Sequence, residues 1–415
     1  MSEPRFLTNR RRVLQGMGLI GGAAIASPLI SSRAAFASTA TWQGNILVVV
    51  SLRGGFDGLS AFSPIGDPNY TLARPTLAIP ASRTLGTGDA RFGMHPSMAN
   101  LKPFWDSGSM SAVHAVGTPN LSRSHFQSTD VLERAAPGTS IRTGWLDRAL
   151  GLVGTGSAFQ AVHLGSGIPG QLYNGPTLAL STRGLKDIAL TSSDWVGPRM
   201  ATALQNLHTG TTLPAANGAL TILSALGSVG TALQTDPSPH NGATYPAASN
   251  LGSAFKDAAR VIRADLGLQT LTIDFGEWDF HSNFGVRGDG RFADHLKELS
   301  DSLAAFATDL GTLLPKVTVV TVSEFGRRVA ENGSSGVDHG HGNVMMLLGG
   351  GLAQPGKVLG TWPGLDQASL VDGDLAGTTD YRNVMADILV KRCTVPESNM
   401  SSVFPGLSRA STGAY

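Results

Sequence analysis

Two unbroken β-branched runs set the tightest limit on what this chain can fold into. Asn45 to Leu52 reads NILVVVSL, and Val317 to Val322 reads VTVVTV. Neither alternates apolar with polar residues, so neither suits a strand with one wet face. Such strands are covered on both sides, as in a parallel sheet packed between helices. Met110 to Val116, Phe159 to Leu164, Thr270 to Phe275 and Val344 to Leu348 read as further strands, with Leu178 to Leu180 as a short partner. Helical spacing separates several of them. Phe255, Ala259, Ile262 and Leu266 share one face before Gly267, Leu296, Leu299, Leu303, Phe306 and Leu310 line another, and Tyr381 to Val390 reads as a closing helix. This alternation predicts an α/β protein with a largely parallel central sheet.

In such sheets ligands bind beyond the carboxyl ends of the strands, and several polar residues fall there. Asp57 follows the first run, within Arg53-Gly54-Gly55-Phe56-Asp57-Gly58. A turn or helix cap is an equal reading of that aspartate. Asp279 and His281 follow Thr270 to Phe275, and Glu324 follows Val317 to Val322. Asp338-His339-Gly340-His341 precedes Val344 to Leu348, and the one-residue spacing can place both imidazoles on the same side of an extended chain. Oxygen and imidazole donors in this density suit a divalent ion: zinc, calcium or magnesium. Ser122-Arg123-Ser124-His125-Phe126 adds a candidate nucleophile in Ser124, an anion clamp in Arg123, and a base or ligand in His125. Ser124 also suits a helix N-cap, a role compatible with binding an anion at the helix start. His95, before Pro96, is a further candidate member of the site.

The N-terminus reads as an export signal. Arg10-Arg11-Arg12 precedes the weakly apolar, Gly/Ala-rich stretch from Val13 to Ile30, and Ala35-Phe36-Ala37 offers a cleavage site. The paired arginines point to the twin-arginine machinery as a partner, with residues 1–37 removed and a periplasmic or extracellular product. Gly21-Gly22 and Pro28 weaken the stretch as a membrane anchor, so no stable span is expected after cleavage. The 31 Lys and Arg nearly balance 30 Asp and Glu, and five of the arginines lie in the signal. The slightly acidic remainder argues against a nucleic-acid surface. The single cysteine, Cys393, excludes an internal disulfide. Residues 38–415 read as one domain, with a polar excursion around 209–250.

These motifs, taken in order, resemble the exported bacterial family DUF1501. The matching stretches are Leu52-Arg53-Gly54-Gly55-Phe56-Asp57-Gly58-Leu59, Phe92-Gly93-Met94-His95-Pro96, Ser122-Arg123-Ser124-His125-Phe126, Gly144-Trp145-Leu146-Asp147-Arg148, Trp278-Asp279-Phe280-His281, Ser323-Glu324-Phe325-Gly326-Arg327, Asp338-His339-Gly340 and Thr379-Asp380-Tyr381-Arg382. The resemblance implies a three-layer α/β/α sandwich of the alkaline phosphatase/sulfatase-like kind. It also implies metal ligands at Asp57, Asp279, His281 and one of His339 or His341, with Ser124 as the best positional match for the nucleophile. An Asp-His pair would follow the strand resembling Val317 to Val322, but here Glu324-Phe325 stands in its place, and Phe325 cannot bind a metal. Asp338 and the second imidazole can replace the missing ligand.

Two functions follow. The first is metal-dependent hydrolysis of a phosphate or sulfate ester in an anionic small molecule or polymer. Ser124 would attack and Arg123 would hold a non-bridging oxygen. The second is a non-catalytic exported binding or assembly protein on the same fold.

Overall fold

The computed structural model describes residues 42, 44–154, 157, 159–165, 170–187, 196–211 and 236–415, with a few positions between 212 and 235. The export segment and most of the polar excursion lie outside the described residues.

The two β-branched runs form strands at the centre of a nine-stranded sheet. In chain order its strands are β1 (Ile46–Leu52), β2 (Met110–Gly117), β3 (Ala161–Leu164), β4 (Leu180–Thr182), β5 (Thr270–Phe275), β6 (Val317–Val322), β7 (Asn343–Gly349), β8 (Val358–Leu359) and β9 (Thr379–Asp380). They lie in the order β8-β2-β7-β6-β1-β5-β3-β4, with β9 also on β2. β1 is flanked by β5 and β6, both parallel to it. Only β7 runs against its neighbours β2 and β6, so the sheet is mixed.

Alternate residues of β1 enter different cores. Val48, Val50 and Leu52 pack with Phe255, Leu296 and Phe306, whereas Leu47 and Val49 pack with Trp145, Leu150 and Ile388. The helices supplying these contacts are α2 (Trp145–Val153), α3 (Asn250–Arg263), α4 (Arg291–Leu310) and α5 (Tyr381–Arg392), while α1 (His125–Arg134) follows β2. Helices therefore flank both faces, which is why the central strands have no polar alternation. Ser249 caps α3 by accepting from the Gly252 N–H, and Asp380 caps α5 by accepting from Arg382 N–H. Among the described residues, no helix is long and apolar enough to cross a membrane.

Because β7 is the one reversed strand of this sheet, its N-terminal end lies at the same edge as the C-terminal ends of β1, β2, β5 and β6. The loops carrying His125, Asp279, Glu324 and His339 consequently converge on one edge of the sheet.

Candidate metal centre

Three imidazoles meet at Asp279. His339 Nε2 lies 2.9 Å from His281 Nε2 and 3.1 Å from Asp279 Oδ1. His281 Nε2 is also 3.1 Å from Asp279 Oδ1. His125 Nε2 lies 3.4 Å from Asp279 Oδ2, yet it is buried and makes no hydrogen bond. The donor atoms of His125, Asp279 and His339 fall within 4.8 Å of one another, a spacing that can hold a metal ion. An unpartnered, buried imidazole nitrogen beside a carboxylate and a second imidazole nitrogen suits such an ion, and His281 lies outside this group of three, against His339 and Asp279.

The far side of each ring strengthens the fit. His125 Nδ1 is 2.8 Å from Glu324 Oε1, His281 Nδ1 is 2.7 Å from Asp338 Oδ1, and His339 Nδ1 is 2.7 Å from the carbonyl oxygen of Arg123. An oxygen behind each Nδ1 is the arrangement in which metal-bound histidines are usually held: with the proton on Nδ1, each Nε2 would turn its lone pair toward a bound ion. Glu324 and Asp338, both expected to be ligands, thus stand behind the rings. His125, expected as base or ligand, stands among the inward-facing donors.

Asp279 is held by a residue to which the motif alone assigned no role. Arg327, fully buried, donates across 2.6 Å to Asp279 Oδ1. Its remaining donors reach the carbonyls of Gly54, Gly55, Val337 and Trp278. Burial disfavours the Asp279 anion, but Arg327 and the neighbouring imidazoles outweigh it and hold the carboxyl at about 2. Burial likewise opposes the Glu324 anion, but the His125 hydrogen bond, the Gly54 and Glu324 amides and the His125 charge together outweigh it, so that carboxyl is also lowered. The same bond raises His125, while burial lowers His339.

Phe325 forms the apolar wall of this site. Its ring centroid lies 4.9 Å from that of His125 and 4.7 Å from that of His339. Gly54 and Gly55, both at positive φ, make room for the packing: a Cβ on Gly55 would sit 2.5 Å from the Phe325 ring, and one on Gly54 2.9 Å from the Asp279 backbone nitrogen. These two glycines thus admit side chain and backbone from neighbouring loops.

The other expected residues lie apart. Asp57 is buried against Arg74, whose Nη1 and Nη2 donate to Oδ2 at 2.6 Å and Oδ1 at 2.9 Å, so both carboxylate oxygens are engaged. His95 accepts from Ser97 N–H through Nδ1. His341 is buried beside Gly117, Ser323 and Tyr381. Arg123 Nη2 donates to Asp374 at 2.7 Å and Asp372 at 2.8 Å, leaving its carbonyl as its contribution to the site. Ser124 is the N-cap residue of α1 without a capping side-chain bond, and its amide donates to Ser122 Oγ.

Comparison with known proteins places residues 45–400 in a family described as "Protein of unknown function (DUF1501)", and the chain belongs to it. No curated protein matches. Among solved structures, similarity is found to Ps i-CgsB in complex with k-i-k-neocarrahexaose, at 10% identity and TM-score 0.37, covering 86% of this chain and 74% of that one. The alkaline phosphatase PafA gives 11% identity and TM-score 0.33 over 69% of this chain and 63% of that one. The alkaline phosphatase from the Antarctic bacterium TAB5 gives 11% and 0.30 over 74% and 92%. Similarity at this level identifies no chemistry.

Proposed function

With DUF1501 membership as the premise, we propose that this chain is an exported, single-metal hydrolase of phosphate or sulfate esters on an alkaline phosphatase/sulfatase-like three-layer fold. The observation that carries this reading is the convergence of three Nε2 atoms on Asp279, with an oxygen behind every ring. His125, Asp279, His281 and His339 would hold the ion. Three nitrogen donors favour zinc over calcium or magnesium, which take oxygen ligands. The ion would supply Lewis acidity toward a tetrahedral oxyanion ester and lower the pKa of a nearby oxygen nucleophile. Phe325, in place of the implied imidazole, supports one ion over two.

Ser124 is the proposed nucleophile. It directly precedes His125 at the start of α1, and its hydroxyl does not cap the helix. Its Oγ would bond to phosphorus or sulfur as the ester oxygen leaves, and water would then release the acid. The N-terminus of α1 would help to offset the anion. The arginine-rich start would deliver the folded protein through the twin-arginine route to the periplasm or beyond.

The test combines metal analysis of protein purified without chelator with turnover of p-nitrophenyl phosphate and sulfate. One ion per chain and turnover of either ester is the expected result. Ser124→Ala should abolish turnover and retain the metal, and normal turnover in that variant would remove serine from the mechanism. Stoichiometric metal without turnover would favour the second reading, an exported binding or assembly protein. The engagement of the Arg123 guanidinium by Asp372 and Asp374 supports that alternative, because it leaves the expected anion clamp occupied.

A further inference from the structure

We infer that Asp374 is a positioning residue for the metal centre, acting through Arg123 without touching the ion; the inference rests on the metal reading above. The segment before α1 makes two contributions to the cluster. His125 turns Nε2 inward, and the Arg123 carbonyl accepts from His339 Nδ1–H across 2.7 Å. Residues 118–124 form neither helix nor strand, so their placement depends on side-chain ties. The Arg123 guanidinium supplies one: Nε and Nη2 both donate to Asp374 Oδ2, at 3.2 Å and 2.7 Å.

The loop carrying Asp374 holds a second site segment. Gly342 N–H donates across 2.9 Å to the carbonyl of Leu375, three residues after His339. A Cβ on Gly342 would come within 2.6 Å of that same oxygen. Asp374 and Leu375 therefore link the segment bearing His125 to the segment bearing His339, and hold the distance between their Nε2 atoms.

The nature of the ion pair separates a positioning role from ordinary surface pairing. Asp372, 76% exposed at its side chain, already offers Arg123 a carboxylate in water. Asp374 is only 4% exposed there, and its Oδ1 is buried without a hydrogen bond. Oδ1 has only the Arg328 Nε, at 4.0 Å, to balance it, and burying a carboxylate so incompletely paired opposes folding. What it adds beyond Asp372 is a rigid, two-donor hold on the guanidinium, and hence on the carbonyl beside it. Loss of an outer-sphere partner typically weakens metal binding by about 10–100-fold.

The experiment uses the mature chain loaded with cobalt(II), whose visible spectrum reports ligand geometry. Asp374→Asn should weaken cobalt binding by up to about tenfold, the lower end of what loss of a direct outer-sphere partner costs, and change the visible bands, whereas Asp372→Asn should leave both near the parental values. Arg123→Met keeps the backbone carbonyl but cuts the tie from the other side, and should reproduce the Asp374→Asn spectrum. It also serves as the test if Asp374→Asn does not fold. Parental affinity and spectrum in a folded Asp374→Asn or Arg123→Met protein would overturn the inference. A parent protein that binds no cobalt would overturn the metal reading itself, and the positioning role with it.

Discussion

The Arg327 guanidinium, with no solvent exposure, donates across 2.6 Å to Asp279 Oδ1, the same oxygen that lies 3.1 Å from the Nε2 atoms of His281 and His339. One oxygen therefore links the buried interior to the open cluster. Arg327 also satisfies four backbone carbonyls from three loops. Arg327→Met would leave those acceptors and the Asp279 charge without their donor. Asp279 is 45% exposed and can be solvated, so the main cost is the orphaned carbonyls; we expect a loss of stability of at least about 1–3 kcal/mol, measured by urea unfolding, together with weaker metal binding. Arg327→Lys should recover little of either, because one ammonium cannot reproduce the planar set of donors.

Direct ligands and ring-orienting carboxylates should respond differently to substitution. His125→Ala and His339→Ala remove inward-facing nitrogens and should abolish stoichiometric metal uptake. Glu324→Gln and Asp338→Asn leave every Nε2 in place and should weaken uptake by about 10–100-fold without abolishing it. Metal content after dialysis, followed by competition with a chromogenic chelator, separates the two classes. Equal, complete loss in all four variants would place Glu324 and Asp338 in the inner sphere.

The central strands were legible because burial on both faces leaves a continuous apolar run. Thr270 to Phe275 and Val317 to Val322 fall where the sequence places them. β8 and β9, of two residues each, carry no such pattern. The reversed β7 was recognisable as a strand but not by direction, since apolar content does not encode polarity of the chain. In the site, Asp279 and His281 were visible as chemistry-bearing residues after a strand, His125 in the motif that opens a helix, and His339 in the segment before a strand. Their division into inner and outer positions was not, because it depends on which way each ring faces. The Arg123 carbonyl leaves no side-chain signal. Arg327 and Arg328 are adjacent and alike in type, and only the fold buries the first and leaves the second half-exposed.

Acid should destabilise the metal-free protein before the carboxylates of the site protonate. Burial lowers both His95 and His114 from 6.5 to about 4, against the raising effect of Asp57 on His95 and of the Phe62 carbonyl on His114. Between those values the unfolded chain takes up protons that the folded chain excludes. The stability contributed by the neutral rings is thus complete above pH 6.5 and lost as pH falls toward about 4. Each shift corresponds to something on the order of 3 kcal/mol. Thermal unfolding in EDTA from pH 7.5 to 4 should show a falling midpoint, and His114→Gln should flatten the slope. An unchanged slope would show that His114 does not remain neutral in the fold. Asp279, held at about 2, contributes in a separate window below pH 4.

Asp57 and Arg74 provide the sharpest contrast between a residue placed by motif and one placed by contact. The two side chains are 2% and 0% exposed, and Arg74 also donates to the carbonyls of Val329 and Arg328. The pair therefore joins the loop after β1 to the segment after Arg327. Removing one partner leaves a buried charge uncompensated, so Asp57→Ala should cost about 3–5 kcal/mol. Because neither carboxylate oxygen is available to the cluster, the folded fraction of Asp57→Ala should still bind one metal ion with affinity near that of the parent. The double variant Asp57→Asn/Arg74→Met should be less destabilised than the sum of its single changes, since it removes both charges together. Unfolding curves together with metal stoichiometry on refolded protein test this directly. Loss of metal with stability intact would return Asp57 to the inner sphere, whereas loss of stability with metal retained would identify it as the anchor of the loop on which Gly54 and Gly55 meet Arg327.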